Sequence, residues 1–268
     1  MQTVEEEANI RVLGPFRVHL LKKQVTPTAA KQRQILALLA LNADRMVAVP
    51  TLLAEIWGDD PPSSCLATLQ TYISQMRNRF SAALPRGQDT RDVISTHHGG
   101  YMLRGDWFQT DVAEFERVAR MGRDAAERGD YEEASETLTR ALELWQGPIL
   151  SDVPYGPVLE LEAISLEEKR FSVLDRRIES DLALHRHSDV VADLHLLTAK
   201  HPMNENLSGF YMIALYRSGR VAMALEEFRR LRTVLRSELG IDPSPKLERL
   251  QQLVLARDPS LDDCSTIR

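Results

Sequence analysis

Residues 68–80 read TLQTYISQMRNRF. Leu69, Ile73, Met76 and Phe80 recur at i, i+4, i+7 and i+11, the spacing of one apolar stripe on a helix. Tyr72 flanks that stripe and is expected to be partly buried. The opposite face presents Thr71, Ser74, Gln75 and Asn78, with Arg77 and Arg79 at its edges. A merely solvated helix face draws on Glu and Lys, which pair along the helix. Here no acidic residue occurs from Ser63 to Leu84. Amides, hydroxyls and guanidinium groups without carboxylates match a nucleic acid. Gln and Asn fit adenine edges, Arg fits guanine or phosphate, and hydroxyls fit either. A carboxylate on this face would meet phosphate repulsion.

The flanks say what kind of domain carries the helix. IRVLGPFRVHL (10–20) alternates, with Gly14-Pro15 between the two runs, and reads as a short antiparallel pair with one wet face. TAAKQRQILALLALNA (28–43) switches to helical period through Ile35, Leu36 and Leu39. VPTLLAEIW (49–57) is a second short helix, stopped by Gly58 and Pro61-Pro62. Ser63 and Ser64 offer caps for the third helix, from about 65 to 82. RDVISTHHGGYMLRG (91–105) reads as strand, turn, strand. Strands, three helices and a hairpin make a winged helix. Its third helix enters the DNA major groove and its hairpin lies on the neighbouring minor groove or backbone.

After residue 105 the strand signals stop. TDVAEFE (110–116) starts a helix, with Asp111 as expected N-cap and Glu114 three residues on. From there to about 256 the pattern is helix with short breaks. GDYEEASETLTRALEL (129–144), HRHSDVVADLHLLTAKHP (185–202) and GRVAMALEEFRRL (219–231) align as second helices of tetratricopeptide-like repeats, with Ala134, Val190 and Ala224 at one packing position. Val190 and Ala224 are 34 residues apart, one repeat; Ala134 and Val190 are 56 apart, 22 too many. The excess falls in 159–184, which reads as one extended helix. A small residue at the packing position lets paired helices approach closely.

Bulk properties agree. The 268 residues are 43% hydrophobic and 27% charged, ordinary for a globular chain. No apolar run approaches the roughly 18 residues of a membrane helix, and the acidic N-terminus has no signal-peptide pattern, so a cytoplasmic protein without membrane contact is expected. Cys65 and Cys264 give neither a disulfide framework nor zinc-ligand spacing. The net charge of −6 divides unevenly: residues 1–105 hold 12 Lys+Arg and 9 Asp+Glu, and the remainder 21 and 30. DNA should therefore meet the first part.

The motifs RVLGPFRV, KQRQILALLALNADRMVAV, IWGDDPPSSCLATLQTYISQMRNRF, GGYML and ALYRSGRVAMALEEFRRLRTVLRSELGIDPSPKL together closely resemble the Streptomyces antibiotic regulatory protein family, activators of secondary-metabolite gene clusters. The likeness runs from about residue 10 to about 260, in a short form without the GxxxxGK[ST] loop of larger relatives and without a receiver-like domain ahead of residue 10. It implies a mainly α fold with a small β component. An OmpR-type winged helix at 10–105 precedes an all-α tetratricopeptide-like bacterial transcriptional activator domain at 106–258, with an acidic N-terminus at 1–9 and a tail at 259–268. It also implies side-by-side binding to direct repeats near a promoter −35 element and contact with RNA polymerase holoenzyme, through sigma factor or the β flap. Carried over by position, the DNA-facing residues are Thr68, Thr71, Tyr72, Ser74, Gln75, Arg77, Asn78 and Arg79 on the recognition helix. Thr96, His97 and His98 are the wing tip, and Lys31 and Arg33 are phosphate contacts. The chain departs from the family at Gln75, where SRLR is common against SQMR here, and at His97, where a basic residue is common. Two fewer positive charges imply moderate affinity, a flatter salt dependence and reliance on cooperative binding.

Three rival readings fit the sequence less well. Catalysis or a metal site would draw on His97-His98, or on His185, His187 and His195 with Asp193, but none has ligand spacing, and no nucleophile elbow or phosphate loop occurs. No cofactor is therefore expected. A pure interaction scaffold leaves 63–81 and the hairpin unexplained. A repressor would differ only in where its site lies.

Overall fold

A computed structural model of the chain describes residues 8–21, 23–84 and 89–262. The alternating run at the start forms β1 (Ala8–Arg11) and β2 (Arg17–Leu20), antiparallel with Ile10 opposite Val18. β3 (Lys23–Gln24) adds to the free side of β2. The three helices follow as α1 (Ala30–Leu41), α2 (Val49–Trp57) and α3 (Cys65–Ser81). A two-residue strand, β4 (Val47–Ala48), precedes α2; it is too short to show as alternation. The hairpin is β5 (Ile94–His97) and β6 (Gly100–Leu103), and β4 joins it to make a sheet ordered β4-β6-β5. β7 (Gln109–Thr110) lies parallel to β1 and completes the other sheet, ordered β3-β2-β1-β7. Phe16, Ile35, Leu36, Leu39, Leu52 and Phe80 are fully buried where these elements meet.

The helical part comprises α4 (Asp111–Glu127), α5 (Tyr131–Glu143), α6 (Pro157–Ala183), α7 (His187–Lys200), α8 (Glu205–Arg217), α9 (Val221–Leu239) and α10 (Pro245–Ala256). The expected architecture, a winged helix followed by a helical-repeat domain, is present. By contacts, the chain forms two compact units: one runs to Val118 and takes in Arg140–Arg170, the other holds Ala119–Thr139 and everything from Phe171.

In the first unit three carboxylates hold backbone. The Asp111 carboxylate accepts the Val12 N–H at 2.9 Å and the Leu13 N–H at 3.0 Å. It is not the cap expected of it: Thr110 Oγ1 accepts the Ala113 N–H at 3.1 Å instead, because the turn after β1 takes the aspartate. Burial raises the Asp111 pKa against the opposing pull of those N–H groups. Asp152 accepts the Phe16 N–H at 2.7 Å and pairs with Arg17 at 2.8 Å and Arg33 at 2.7 Å. Burial pushes its pKa up, but those donors together hold it below the ordinary value. Glu55 on α2, only 2% exposed, accepts N–H groups of Gly156, Val158 and Leu159 at 2.6, 2.9 and 3.0 Å. A carboxylate is thereby set against the donors and positive dipole end of α6.

In the second unit the repeat alignment holds. Ala134 and Ala224 are 0% exposed and Val190 2%. The turn before each of α5, α7 and α9 needs one left-handed residue, supplied by Gly129 (φ 81°), His185 (φ 59°) and Gly219 (φ 76°). A β-carbon makes that conformation costly at His185. The 27-residue α6 absorbs the 22 extra residues between the first two copies.

Candidate nucleic-acid interface

The apolar stripe fixes the rotation of α3. Leu69, Ile73 and Met76 are 1% exposed and Phe80 0%, so Gln70, Thr71, Ser74, Gln75, Asn78 and Arg79 face outward and Thr68, Tyr72 and Arg77 lie half-buried. Ser64 sits at the N-cap position, but its side chain makes no capping bond; the Cys65 N–H instead reaches the Pro62 carbonyl at 2.9 Å.

Hydrogen bonds then divide the polar residues by what they still offer. The Thr68 and Thr71 hydroxyls donate to the carbonyls of Ser64 at 3.0 Å and Ala67 at 2.9 Å. Their protons are spent within the helix, which leaves lone pairs and methyl groups outward. The Gln75 carbonyl accepts from the amide of Gln32, a buried residue of α1. With one lone pair of that oxygen engaged, the Gln75 –NH2 is the freer group for a ligand.

Arg77 is turned to the wing. Its Nε donates to the Ile94 carbonyl at 3.0 Å, and its Nη2 donates to the same oxygen at 2.5 Å and to Thr96 Oγ1 at 2.9 Å. Burial lowers its pKa, yet a guanidinium stays charged. The wing is also fixed from behind. A β-carbon on Gly100 would lie 2.5 Å from the Val47 carbonyl oxygen, so the β4-β6 pairing admits only glycine there. Thr96, His97 and His98 are exposed at the tip, with the His97 ring 3.0 Å from Ser95 Oγ.

The remaining cations divide. Arg79 donates to the Thr26 carbonyl at 3.3 Å and stays exposed. Lys31 holds its ammonium 4.7 Å from the centre of the Trp57 ring. Arg33 lies elsewhere: with its side chain 14% exposed and paired to Asp152, it is part of the fold and does not join the others. A groove of about 590 Å3 lies beside α3, lined by Gln70, Ser74, Arg77 and Asn78 of that helix, by Asp89, Thr90 and Arg91, and by Tyr101 of β6. Gln70 and Arg91 were missed in the sequence. Gln70 stands one turn before Ser74 on the same face, a signal available from spacing; Arg91 enters only because the chain after 89 folds beside α3. Among the described residues no group of three or more His, Cys, Asp or Glu is arranged to hold a metal ion, and no helix is long and apolar enough to cross a membrane.

A recognition helix with an acid-free polar face, locked to a three-stranded wing and followed by helical repeats, defines a winged-helix transcription regulator. The family model "Transcriptional regulatory protein, C terminal" matches residues 23–103, and "Bacterial transcriptional activator domain" matches 110–255. Regulatory protein DnrI of Streptomyces peucetius is 47% identical over 255 residues, 94% of each chain. Regulatory protein AfsR of Streptomyces coelicolor is 38% identical over 264 residues, 97% of this chain and 26% of that one. The solved structure "Mycobacterium tuberculosis EmbR in complex with low affinity phosphopeptide" superposes with a TM-score of 0.88 at 33% identity, over 98% of this chain and 69% of the other. The chain belongs to the Streptomyces antibiotic regulatory protein family of transcriptional activators. Its relatives are named as transcriptional regulators, which marks a non-enzymatic regulator.

Proposed function

We propose that this activator works in the cytoplasm on the promoters of a secondary-metabolite, antibiotic-type gene cluster. It binds direct repeats near the −35 element as a side-by-side pair and recruits RNA polymerase holoenzyme through sigma factor or the β flap. Residues 10–105 serve as the DNA-binding domain and 106–258 as the activator domain. The observation that carries this reading is the outward face of α3, with no carboxylate from Ser63 to Leu84, held beside the wing. Ser74, Gln75 and Asn78 read base edges, with Gln70 beside them. Thr68 and Thr71 offer acceptors and methyl groups, and Tyr72 packs at the edge. Arg79, Lys31 and Arg91 meet phosphates, and Thr96, His97 and His98 carry the wing tip. Arg77 acts by positioning the wing. Gln32 orients Gln75 so that its amide donors select an acceptor edge, such as guanine O6/N7. Gln32→Met is expected to relax preference at one base position while leaving the salt slope unchanged, as read from binding to a randomised site library.

The test of the whole reading is a gel-shift titration of the intact protein on the upstream region of a neighbouring biosynthetic gene and on scrambled duplex, at two salt concentrations. A specific, cooperative shift that weakens with salt is expected. Equal binding to both probes by folded protein, with and without holoenzyme, would overturn it.

A further inference from the structure

The second unit contains a cavity of about 550 Å3 between the C-terminal half of α6, α8 and α10. That is the size of a small-molecule site. Its lining combines the apolar Phe210, Ile213, Leu250 and Leu253 with three carboxylates and two cations. Two of the carboxylates are engaged. Glu179 pairs with Arg176 at 3.5 Å, and Glu205 accepts the Ser244 N–H at 2.7 Å. Asp175 is not. Its Oδ2 has only a long 3.4 Å hydrogen bond from Asn206, and its Oδ1 is buried with no partner. Lys246 and Arg249 on α10 line the same cavity, but no Lys or Arg pairs with Asp175 among the described residues. Burial, opposed by Asn206 and Lys246 and reinforced by Glu179, pushes its pKa up to about 6. Lys246 is near enough to favour the charged carboxylate, but it makes no ion pair with it. A buried carboxylate with one unmade bond is what an incoming N–H donor corrects, and a half-turn about the last side-chain bond exchanges its two oxygens.

We propose that this cavity is a binding site for a small amphiphilic amine, with its apolar body on Phe210, Ile213, Leu250 and Leu253 and its ammonium on Asp175. The site is independent of the DNA interface and of the reading given to it. The lining favours a monocation. An anion would gain Lys246 and Arg249 but meet Asp175, and a neutral body would leave the Asp175 charge uncompensated.

The test titrates 4-phenylbutylamine, 4-phenylbutan-1-ol and 4-phenylbutanoate into the full-length protein with labelled Ile and Leu methyl groups, following Ile213, Leu250 and Leu253. The amine should saturate these shifts with an affinity at least about tenfold above the alcohol and the carboxylate. Asp175→Asn should leave the alcohol unchanged and bring the amine to within about twofold of it. The proposal is overturned if the amine gives no saturable shift, if amine and alcohol bind equally to the natural protein, or if the amine preference survives in Asp175→Asn.

Discussion

The arginines of α3 and those of the helical repeats are held by opposite means. Arg77 and Arg79 donate to backbone carbonyls, of Ile94 and Thr26. In the repeats several arginines meet carboxylates: Arg230 meets Glu227 at 2.7 Å, Arg177 meets Asp193 at 2.8 Å, and Arg232 and Arg236 share Asp242 at 3.0 and 2.9 Å. A carbonyl positions a cation and leaves its charge standing; a carboxylate positions it and cancels it. The difference teaches that α3 keeps its guanidinium charge because its acceptors are carbonyls, whereas elsewhere in the first part Arg17 and Arg33 are neutralised by Asp152. Surface pairs of the second kind contribute little stability individually, so their arrangement is legible mainly as charge neutrality.

Breaking the contrast should have the largest effect. Ser74→Glu puts a carboxylate on the outward face of α3, and DNA affinity should fall about 100-fold through like-charge opposition. Thermal stability should stay unchanged, since Ser74 is exposed. An effect below threefold in a gel shift would mean that this face does not meet DNA. Arg77→Ala should weaken binding on every sequence by about 30-fold, the worth of roughly 2 kcal/mol of lost charge-assisted bonds. If Arg77 acts through the wing, the slope of log K against log salt is kept, and amide exchange in β5 and β6 speeds up. A slope lowered by about one would assign it to phosphate instead.

In the repeats the contrast sharpens at Asp175, a half-buried carboxylate that makes no ion pair among the described residues. The folded pKa of Asp175 is raised to about 6, above the unfolded value, so the folded state holds the extra proton between the two. Stability is greatest below the unfolded pKa and is lost as pH rises through 6. Asp175→Asn should therefore stabilise the protein at pH 7 by about 1 kcal/mol, a figure discounted for partial exposure. The gain should vanish at pH 4, as urea titrations at the two pH values would show. The smallest expected effect is His185→Gly, which relieves a left-handed residue and gives back chain entropy. A gain of under about 1 kcal/mol is expected in the same assay.

Periodicity made much of this legible. The stripe Leu69, Ile73, Met76, Phe80 gave the rotation of α3, and the repeat spacing located the long helix α6. What stayed hidden depended on partners far along the chain. Arg33 reads as a phosphate contact until Asp152 arrives, and Gln75 reads as a free amide until Gln32 does. Arg77 looks like its neighbours until β5 takes it. Local rules also lose to stronger long-range demands: Asp111 has a cap's sequence signature, but two N–H groups after β1 outbid the helix for its carboxylate. A face can be read from spacing, whereas the free valence of each residue on that face cannot.

The inward-bonded hydroxyls of Thr68 and Thr71 bear on the heat of complex formation. With those protons already satisfied, docking strips fewer tightly held waters from the front of the helix, while the two methyl groups are dehydrated. The complex should therefore carry, from these two positions, a negative heat-capacity increment with little enthalpic penalty, the calorimetric mark of apolar contact on a face that composition alone would class as polar.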